Sequence, residues 1–410
     1  MSVDASGPDY VVAWADIASS PRTVAARSVV STTVGPMREL DSSSAQIQGV
    51  SVACAANACA AAWADRRTGT YDLNARTLAP DASPVGTQMS IVGTVIASDQ
   101  VRPRIAATDS RSLVAWIDDR AGTPSLYATG LTLDAPPVVV GDPIEVQTGL
   151  QEHFDVVGFD GENFAVAYEK FDPTLNVYIY EARFIDIASG VVGPEVPLAY
   201  GPASSEVLVE RAGLSHAALV IQGPDIVEDG APQLETPSSV NVVVFDDALV
   251  ALPIVQVSES NANSFAAAGS PTENELVLAF SQTSPRAVTG LRIAHDGASV
   301  TVGDAHEVGT PHAAAFVNAT REAQHVLLGW SVPSDGQLIA PAMTFQRVDA
   351  FGQPNAPHTT LTTADELEFL ASDGSYALVG YRSMDDLLVR MKYSLGDYCG
   401  GPQTLIPASN

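Results

Sequence analysis

The sequence predicts an all-β protein folded as a β-propeller of four-stranded blades, and three observations support this fold class. A unit of about 50 residues recurs along the chain, which is the length of one propeller blade. Each unit opens with two apolar runs joined by a turn, the pattern of a β-hairpin. No segment keeps apolar residues at helical spacing over the roughly 12 positions that a helix needs. Eight such units account for the 410 residues. We therefore expect eight blades, with seven as the alternative because the fifth unit is degenerate.

The hairpin is clearest in the first three units, which align almost without gaps at residues 2–16, 51–66 and 104–120. Its second run ends in a slot for a large apolar side chain, and all 4 tryptophans of the chain fall in it. The slot holds Trp14, Trp63, Trp116, Tyr168, Ile221, Phe280, Trp330 and Tyr381. Because side chains alternate along a strand, we expect this aromatic slot to point into the interface between blades. There each buried ring contributes about 1.5–3 kcal/mol.

A polar loop and two further apolar runs complete each unit. We expect one propeller domain over residues 1–410, with blades at 2–46, 47–98, 99–150, 151–204, 205–260, 261–310, 311–364 and 365–410. The first unit has its own inner strand and the last contains all four runs, so closure needs no strand exchanged between the termini. A closed ring leaves few exposed strand edges, which favours a monomer unless the protein belongs to an assembly.

The charge of the chain limits its partners. Acidic residues outnumber basic ones 48 to 20, for a net charge of −28. A polyanion would be repelled, so nucleic acid is excluded as a partner. The sequence also lacks a run of about 18 apolar residues, so we expect no membrane insertion.

Two of the three cysteines flank a short turn between apolar runs. A hairpin would bring Cys54 and Cys59 opposite each other, which predicts a disulfide and an oxidising compartment, with two buried thiols as the alternative. Cys399 is left over. The first repeat begins within a few residues of Met1. Together with the cysteines, this start predicts a secreted, periplasmic or cell-surface protein whose leader has been removed.

The repeat carries the pattern Val-Ala-Trp-x-Asp-x-Arg, which resembles repeats of bacterial secreted propeller proteins. The matching residues are Trp14, Asp16 and Arg27, then Trp63, Asp65, Arg67 and Arg76, then Trp116, Asp118 and Arg120. The resemblance covers three units well and implies fold and secretion more than an activity. Propeller sialidases carry the motif Ser-x-Asp-x-Gly-x-x-Trp. No match to it exists here, because the segment 372–374 lacks both the spacing and the tryptophan.

The loop after the aromatic slot collects charged residues in three units. The candidate ligand-binding residues are Asp65, Arg66, Arg67, Asp118, Asp119, Arg120, Glu169 and Lys170. Carboxylate and guanidinium groups suit bidentate hydrogen bonds to sugar hydroxyls or a peptide. The alternative is that Asp and Arg pair within or between blades to fix the loop. Repetition in successive units favours this alternative, since active sites seldom repeat.

The fifth unit carries a long insertion, residues 222–239, in the same loop position. Asp225, Glu228 and Asp229 cluster there, so Ca²⁺ is a possible cofactor and a basic partner could dock. A solvated loop is the alternative.

Signatures of catalysis are absent from the sequence: it has no Gly-x-Ser-x-Gly elbow, no phosphate loop and no zinc spacing. The leading hypothesis is therefore a non-catalytic binding propeller for glycans or protein partners. A glycoside hydrolase or lyase remains open, because carboxylates from different blades could converge at the central channel. An architectural subunit of a surface assembly is the third hypothesis.

Overall fold

The computed structural model describes residues 2–6, 9–17, 20–30, 33–55, 57–92, 98–133, 138–159, 162–201, 207–213, 215–223, 239–258, 262–270, 273–283, 286–310, 316–322, 325–332, 342–355, 359–361, 366–372, 376–383, 386–393 and 398–406. Every regular element in these ranges is a β-strand, and the strands form eight antiparallel sheets. The protein is an all-β propeller, and the eight sheets are its blades, numbered one to eight in chain order.

Among the residues that the structure describes, the first four blades contain eighteen strands. Blade one has β1 (Ser2–Ser6), β2 (Asp9–Asp16), β3 (Arg22–Val30), β4 (Thr33–Val34) and β5 (Arg38–Ser43). Blade two has β6 (Ile47–Cys54), β7 (Cys59–Asp65), β8 (Asp72–Leu78) and β9 (Pro84–Ser90). Blade three has β10 (Gln100–Ala107), β11 (Arg111–Asp118), β12 (Ser125–Thr132) and β13 (Val139–Thr148). Blade four has β14 (Leu150–Gly158), β15 (Asn163–Asp172), β16 (Val177–Asp186), β17 (Val191–Val192) and β18 (Val196–Gly201).

The last four blades contain the remaining strands described. Blade five has β19 (Val207–Arg211), β20 (His216–Gly223), β21 (Ser239–Asp246) and β22 (Val255–Gln256). Blade six has β23 (Ala262–Gly269), β24 (Glu275–Thr283), β25 (Arg286–His295), β26 (Val300–Val302) and β27 (His306–Gly309). Blade seven has β28 (Phe316–Glu322), β29 (His325–Val332), β30 (Ala342–Val348) and β31 (Thr359–Leu361). Blade eight has β32 (Glu366–Ser372), β33 (Tyr376–Ser383), β34 (Asp386–Tyr393) and β35 (Tyr398–Ile406).

Strands pair in chain order within each blade, and the outer position is often interrupted. In blade one both β4 and β5 pair with β3, so two short strands share the fourth place. Blades four and six repeat this arrangement, with β17 and β18 on β16 and with β26 and β27 on β25. In blades two and three the outer pairing is continuous but shifts register.

Hydrophobic clusters lie between successive blades. On β7, Ala61 and Trp63 pack against blade one, whereas Ala60 and Ala62 pack against blade three. This alternation explains why the strand reads as a continuous apolar run, since neighbouring blades cover both of its faces. The aromatic slot packs toward the preceding blade in five blades, through Trp63, Trp116, Tyr168, Phe280 and Trp330.

Two compact units divide the chain, residues 1–171 with 181–196 and residues 172–180 with 197–408. Within the first unit the inner strand β6 contacts β1 and β10, and β10 contacts β14. Within the second unit β23 contacts β19 and β28, and β28 contacts β32. Side-by-side inner strands are what the propeller architecture requires. The assignment of one domain with the blade limits given above stays a prediction.

The disulfide predicted in the first hairpin of blade two is confirmed. Cys54 and Cys59 stand opposite each other in the β6–β7 register and are bonded. The amide of Cys54 donates to the carboxylate of Asp4 in blade one, at 2.8 Å. The disulfide thus links the two strands of the hairpin, and the bond to Asp4 links the hairpin to blade one. No helix in the described ranges is long and apolar enough to cross a bilayer.

Candidate functional site

Asp65, a candidate from the repeat motif, ends β7 with no exposed surface. The Arg67 guanidinium donates to it twice, from Nε to Oδ1 at 2.8 Å and from Nη2 to Oδ2 at 2.7 Å, and the Arg67 amide donates to Oδ1 at 3.1 Å. Nη2 of Arg67 also bonds Asp41 of blade one, which in turn accepts from the indole of Trp63 at 3.3 Å. Burial raises the pKa of Asp41, and its contacts with Arg67 oppose that shift. The motif therefore links two blades and leaves the Asp65 carboxylate no surface for a ligand.

Asp118 occupies the same place in blade three and is equally buried. Its Oδ1 accepts from the Arg120 amide at 2.8 Å and from the Ser98 hydroxyl at 3.0 Å. Its Oδ2 accepts from Arg120 Nε at 2.9 Å and from Trp116 Nε1 at 3.4 Å. The Arg120 guanidinium lies over the ring of Tyr127, 4.3 Å from its centroid. Asp118 is thus the centre of a closed network that fixes the loop.

Exposed groups of the same two loops remain available at the surface. Arg66 is exposed and lies 5.8 Å from the ring centroid of Tyr71. Asp119 is exposed and accepts from the amide of Asp99 at 2.9 Å. A binding role for these residues stays a prediction.

Blade four differs from the loop that the sequence suggested. β15 continues to Asp172, because Lys170 pairs in register with Leu150 of the inner strand. Glu169, which is 2% exposed, and Lys170 therefore lie in a strand, and Lys170 Nζ approaches Glu195 Oε2 at 3.7 Å. The insertion of blade five joins β20 to β21. Its acidic residues Asp225, Glu228 and Asp229 lie outside the described residues.

A cavity of about 600 Å³ lies in blades six and seven. Blade six contributes the β23–β24 turn, with Glu273 and Asn274, and the end of β25, with His295. Blade seven contributes the β28–β29 hairpin and the turn after β30, with Phe351. These connections join first to second and third to fourth strands. The charged loops singled out in the sequence instead join second to third strands, at the other end of a blade.

Four charged side chains of the cavity form one chain of ion pairs. Arg292 Nε donates to Glu275 Oε2 at 2.6 Å. Arg321 of blade seven donates through Nη2 to Glu275 Oε1 at 3.1 Å and to Glu273 Oε2 at 2.6 Å. Burial of Glu275 acts to raise its pKa, but the bonds from Arg321 and Arg292 outweigh burial and hold the pKa below its ordinary value. Glu275 is therefore an ionised carboxylate at neutral pH.

Phe351 stands at this cavity with 55% of its surface exposed. It is the one exposed aromatic side chain among those that the structure describes. The Arg292 guanidinium lies over its ring, 5.2 Å from the centroid. The turn is fixed by Asp349, whose Oδ1 accepts from the Phe351 amide at 2.8 Å. Gly352 follows with φ of 81°, and a Cβ there would come within 2.7 Å of the backbone nitrogen of Leu291.

The turn that carries Phe351 recurs in blades two and five. In each of the three turns the amide of the first residue donates to the carbonyl oxygen of the fifth, and the fourth residue has a positive φ. The third position holds Asp81 in blade two, Ala248 in blade five and Phe351 in blade seven. The fold thus needs no large side chain there, and the exposed ring of blade seven is a departure from the repeat.

His295 lines the same cavity and lies beside His216. Nε2 of His295 lies 2.6 Å from the carbonyl oxygen of Ala212, and its ring centroid lies 4.2 Å from that of His216. Nδ1 of His295 is buried and has no hydrogen-bond partner among the described residues. Burial lowers the pKa of His216, and His295 lowers it further. His216 therefore favours the neutral form at neutral pH.

The described residues offer no group of three or more His, Cys, Asp or Glu side chains able to hold a metal ion. The proposed Ca²⁺ site falls on residues 225–229, outside these ranges. Calcium binding stays a prediction.

No protein-family model matches the chain, and no curated protein matches it. Solved structures do resemble it. The Dos1 propeller has 10% identity and a TM-score of 0.57, covering 97% of this chain and 92% of that one. The β-propeller domain of the trilobed protease from Pyrococcus furiosus has 8% identity and a TM-score of 0.49, covering 88% and 96%. A prolyl endopeptidase has 12% identity and a TM-score of 0.50, covering 88% of this chain, which spans only 49% of that enzyme. At these identities the likeness shows the fold alone.

Proposed function

We propose that this protein is a non-catalytic binding propeller that recognises a glycan or a protein partner through the cavity of blades six and seven. One observation carries the proposal. Phe351 is exposed at a turn position that holds Asp81 in blade two and Ala248 in blade five. The ring lies on the wall of a polar cavity, and ligand sites are typically lined by aromatic side chains together with a few polar groups.

The charged groups of the cavity support binding over catalysis. A general acid needs a pKa raised toward the working pH, whereas the pKa of Glu275 is held low by two guanidinium groups. Its two oxygens already accept from Arg292 and Arg321. Fixed donors and acceptors of this kind position a ligand without exchanging protons with it.

The proposal is tested by probing glycan and peptide arrays with the native protein and with Phe351→Ala. Removal of the ring should weaken binding by at least about tenfold, or about 1.4 kcal/mol. Val250→Ala is the matched control, because Val250 is 61% exposed in the equivalent turn of blade five. Its binding should equal that of the native protein. Turnover of any glycoside on the array, or binding that survives Phe351→Ala, would contradict the proposal.

A secreted, periplasmic or cell-surface location belongs to the same proposal. The Cys54–Cys59 disulfide supports it, because such bonds persist in oxidising compartments. Membership among the bacterial secreted propellers that share the Trp-x-Asp-x-Arg repeat, and a monomeric state, are proposed with it. Light scattering at micromolar concentration tests the last point, and a stable oligomer would favour an architectural subunit.

A further inference from the structure

We infer that the ligand of the blade six and seven cavity is a neutral saccharide, one sugar ring of which stacks on Phe351. This inference rests on the proposed function and narrows it to one class of ligand. The alternatives within that function are a charged glycan and a peptide.

The pairing of charges in the cavity argues for a neutral ligand. Two guanidinium groups and two carboxylates, Arg292, Glu275, Arg321 and Glu273, neutralise one another along one chain of ion pairs. The third carboxylate of the lining, Asp349, is engaged within its own turn, because its Oδ1 accepts from the amides of Phe351 and Gln353 at 2.8 and 3.0 Å. A cationic ligand would have to displace an arginine from a glutamate, and an anionic ligand would have to displace a glutamate from an arginine. A hydroxyl group donates and accepts at once, so it joins the network without breaking a pair.

The outer ends of this network are open to such hydroxyls. The Glu273 side chain is 61% exposed and the Arg292 side chain 35% exposed. Arg292 uses only Nε toward Glu275 in the hydrogen bonds of the described residues, so its terminal amino groups are available to a ligand. A guanidinium and a carboxylate presented together suit neighbouring hydroxyls of one sugar ring.

Phe351 supplies the apolar half of the site. A sugar ring presents C–H groups on its faces, and these pack well on an aromatic ring whose π face is electron-rich. The Arg292 guanidinium lies over one face of the Phe351 ring, so the sugar ring stacks on the opposite face. More than half of the Phe351 surface is open, and the cavity volume of about 600 Å³ lies within the range of small-molecule sites. The net charge of −28 disfavours polyanionic glycans through long-range repulsion.

The experiment measures binding of short neutral oligosaccharides by titration calorimetry and by saturation-transfer NMR. Oligouronates of the same length and short basic and acidic peptides form the comparison panels. The native protein should bind a neutral oligosaccharide with the same Kd at low and high salt, since no ion pair is formed with the ligand. Phe351→Ala should weaken binding at least about tenfold. Phe351→Trp should retain it, and Val250→Ala should leave it unchanged.

The outcomes separate the inference from the proposed function. Binding of an oligouronate or a peptide that depends on Phe351 would overturn the saccharide inference and leave the binding function standing. A Kd for a neutral sugar that rises steeply with salt would also overturn the inference. No binding in any panel, or binding indifferent to Phe351→Ala, would overturn both. Unfolding midpoints of the variants, expected to match the native protein because both side chains are exposed, show that each is folded.

Discussion

Replacing Asp118 by asparagine should lower the free energy of unfolding by about 3 kcal/mol. Asparagine keeps one oxygen, which can still accept from the Arg120 amide and from Ser98. Its amide nitrogen then replaces the Oδ2 that now accepts from Arg120 Nε at 2.9 Å and from Arg120 Nη2. A hydrogen bond to a charged group contributes about 1.5–3 kcal/mol, so the two bonds lost from Arg120 account for up to about 6 kcal/mol. The bond from Trp116 Nε1 to Oδ2 is also lost, but at 3.4 Å it is long and adds little. Arg120 is 22% exposed and can turn to water, which brings the expected loss to the lower half of that range.

The pH dependence of this loss follows from the charge of Asp118. Burial raises the pKa of Asp118, but the bonds from Arg120 outweigh burial and hold it below the ordinary value. A carboxylate with a lowered pKa in the folded state stabilises the protein above its unfolded pKa, and that stability is lost as the pH falls through the folded pKa. The difference between native protein and Asp118→Asn should therefore be constant near neutral pH and should shrink below about pH 4.

Urea unfolding followed by tryptophan fluorescence measures the loss, and amide hydrogen exchange in β11 locates it, since blades need not unfold together. Asp119→Asn is the control. Asp119 is exposed and an asparagine oxygen can still accept from Asp99, so the change should stay within about 0.5 kcal/mol. The reasoning is refuted if Asp118→Asn is as stable as the control, or if its deficit is the same at pH 3 as at pH 7.

Two further predictions concern packing and the disulfide. Gly309→Ala should destabilise the protein by about 1–3 kcal/mol in urea unfolding, because the new Cβ would lie 2.4 Å from Trp330 Cζ2. Adding Trp330→Phe should recover part of that loss. If Gly309→Ala unfolds with the same free energy as the native protein, the packing of Gly309 against Trp330 is contradicted. Alkylation of the denatured, unreduced protein should label one thiol of 3, because Cys54 and Cys59 are bonded. Three labelled thiols would contradict the disulfide.

The fold could be predicted from the sequence because it depends on local patterns that recur in each blade. Paired apolar runs predict the hairpins, and the aromatic slot marks the same register position in blades two and six, where Val50 pairs with Trp63 and Phe265 with Phe280. The same hairpin pattern predicts the disulfide, because Cys54 and Cys59 flank the turn. The interrupted outer strands were not foreseen, because two-residue strands such as β4 leave no periodic signal.

The cavity could not be found from the sequence, since its residues come from four separate strands and turns. Glu275, Arg292, Arg321 and Phe351 have no motif in common, and the tertiary packing of two blades brings them together. The repeated Asp-Arg motif instead predicts a site at the other end of the blades, where Asp65 and Asp118 are buried. One signal was available: an alignment of the turns after the third strand would have shown Phe351 where blades two and five have Asp81 and Ala248.

The interrupted outer strands affect the tendency of the protein to aggregate at high concentration. The outermost strand of a sheet is where a foreign chain can add by backbone pairing, and that requires a long row of free amide and carbonyl groups. In blades one, four and six the row is cut in two, and in blades five and seven it is only two and three residues long. Molecules with a net charge of −28 that meet at these edges find no continuous template and repel each other. The outer strands of these five blades therefore oppose edge-to-edge pairing, whereas blades two, three and eight present longer outer strands of 7, 10 and 9 residues.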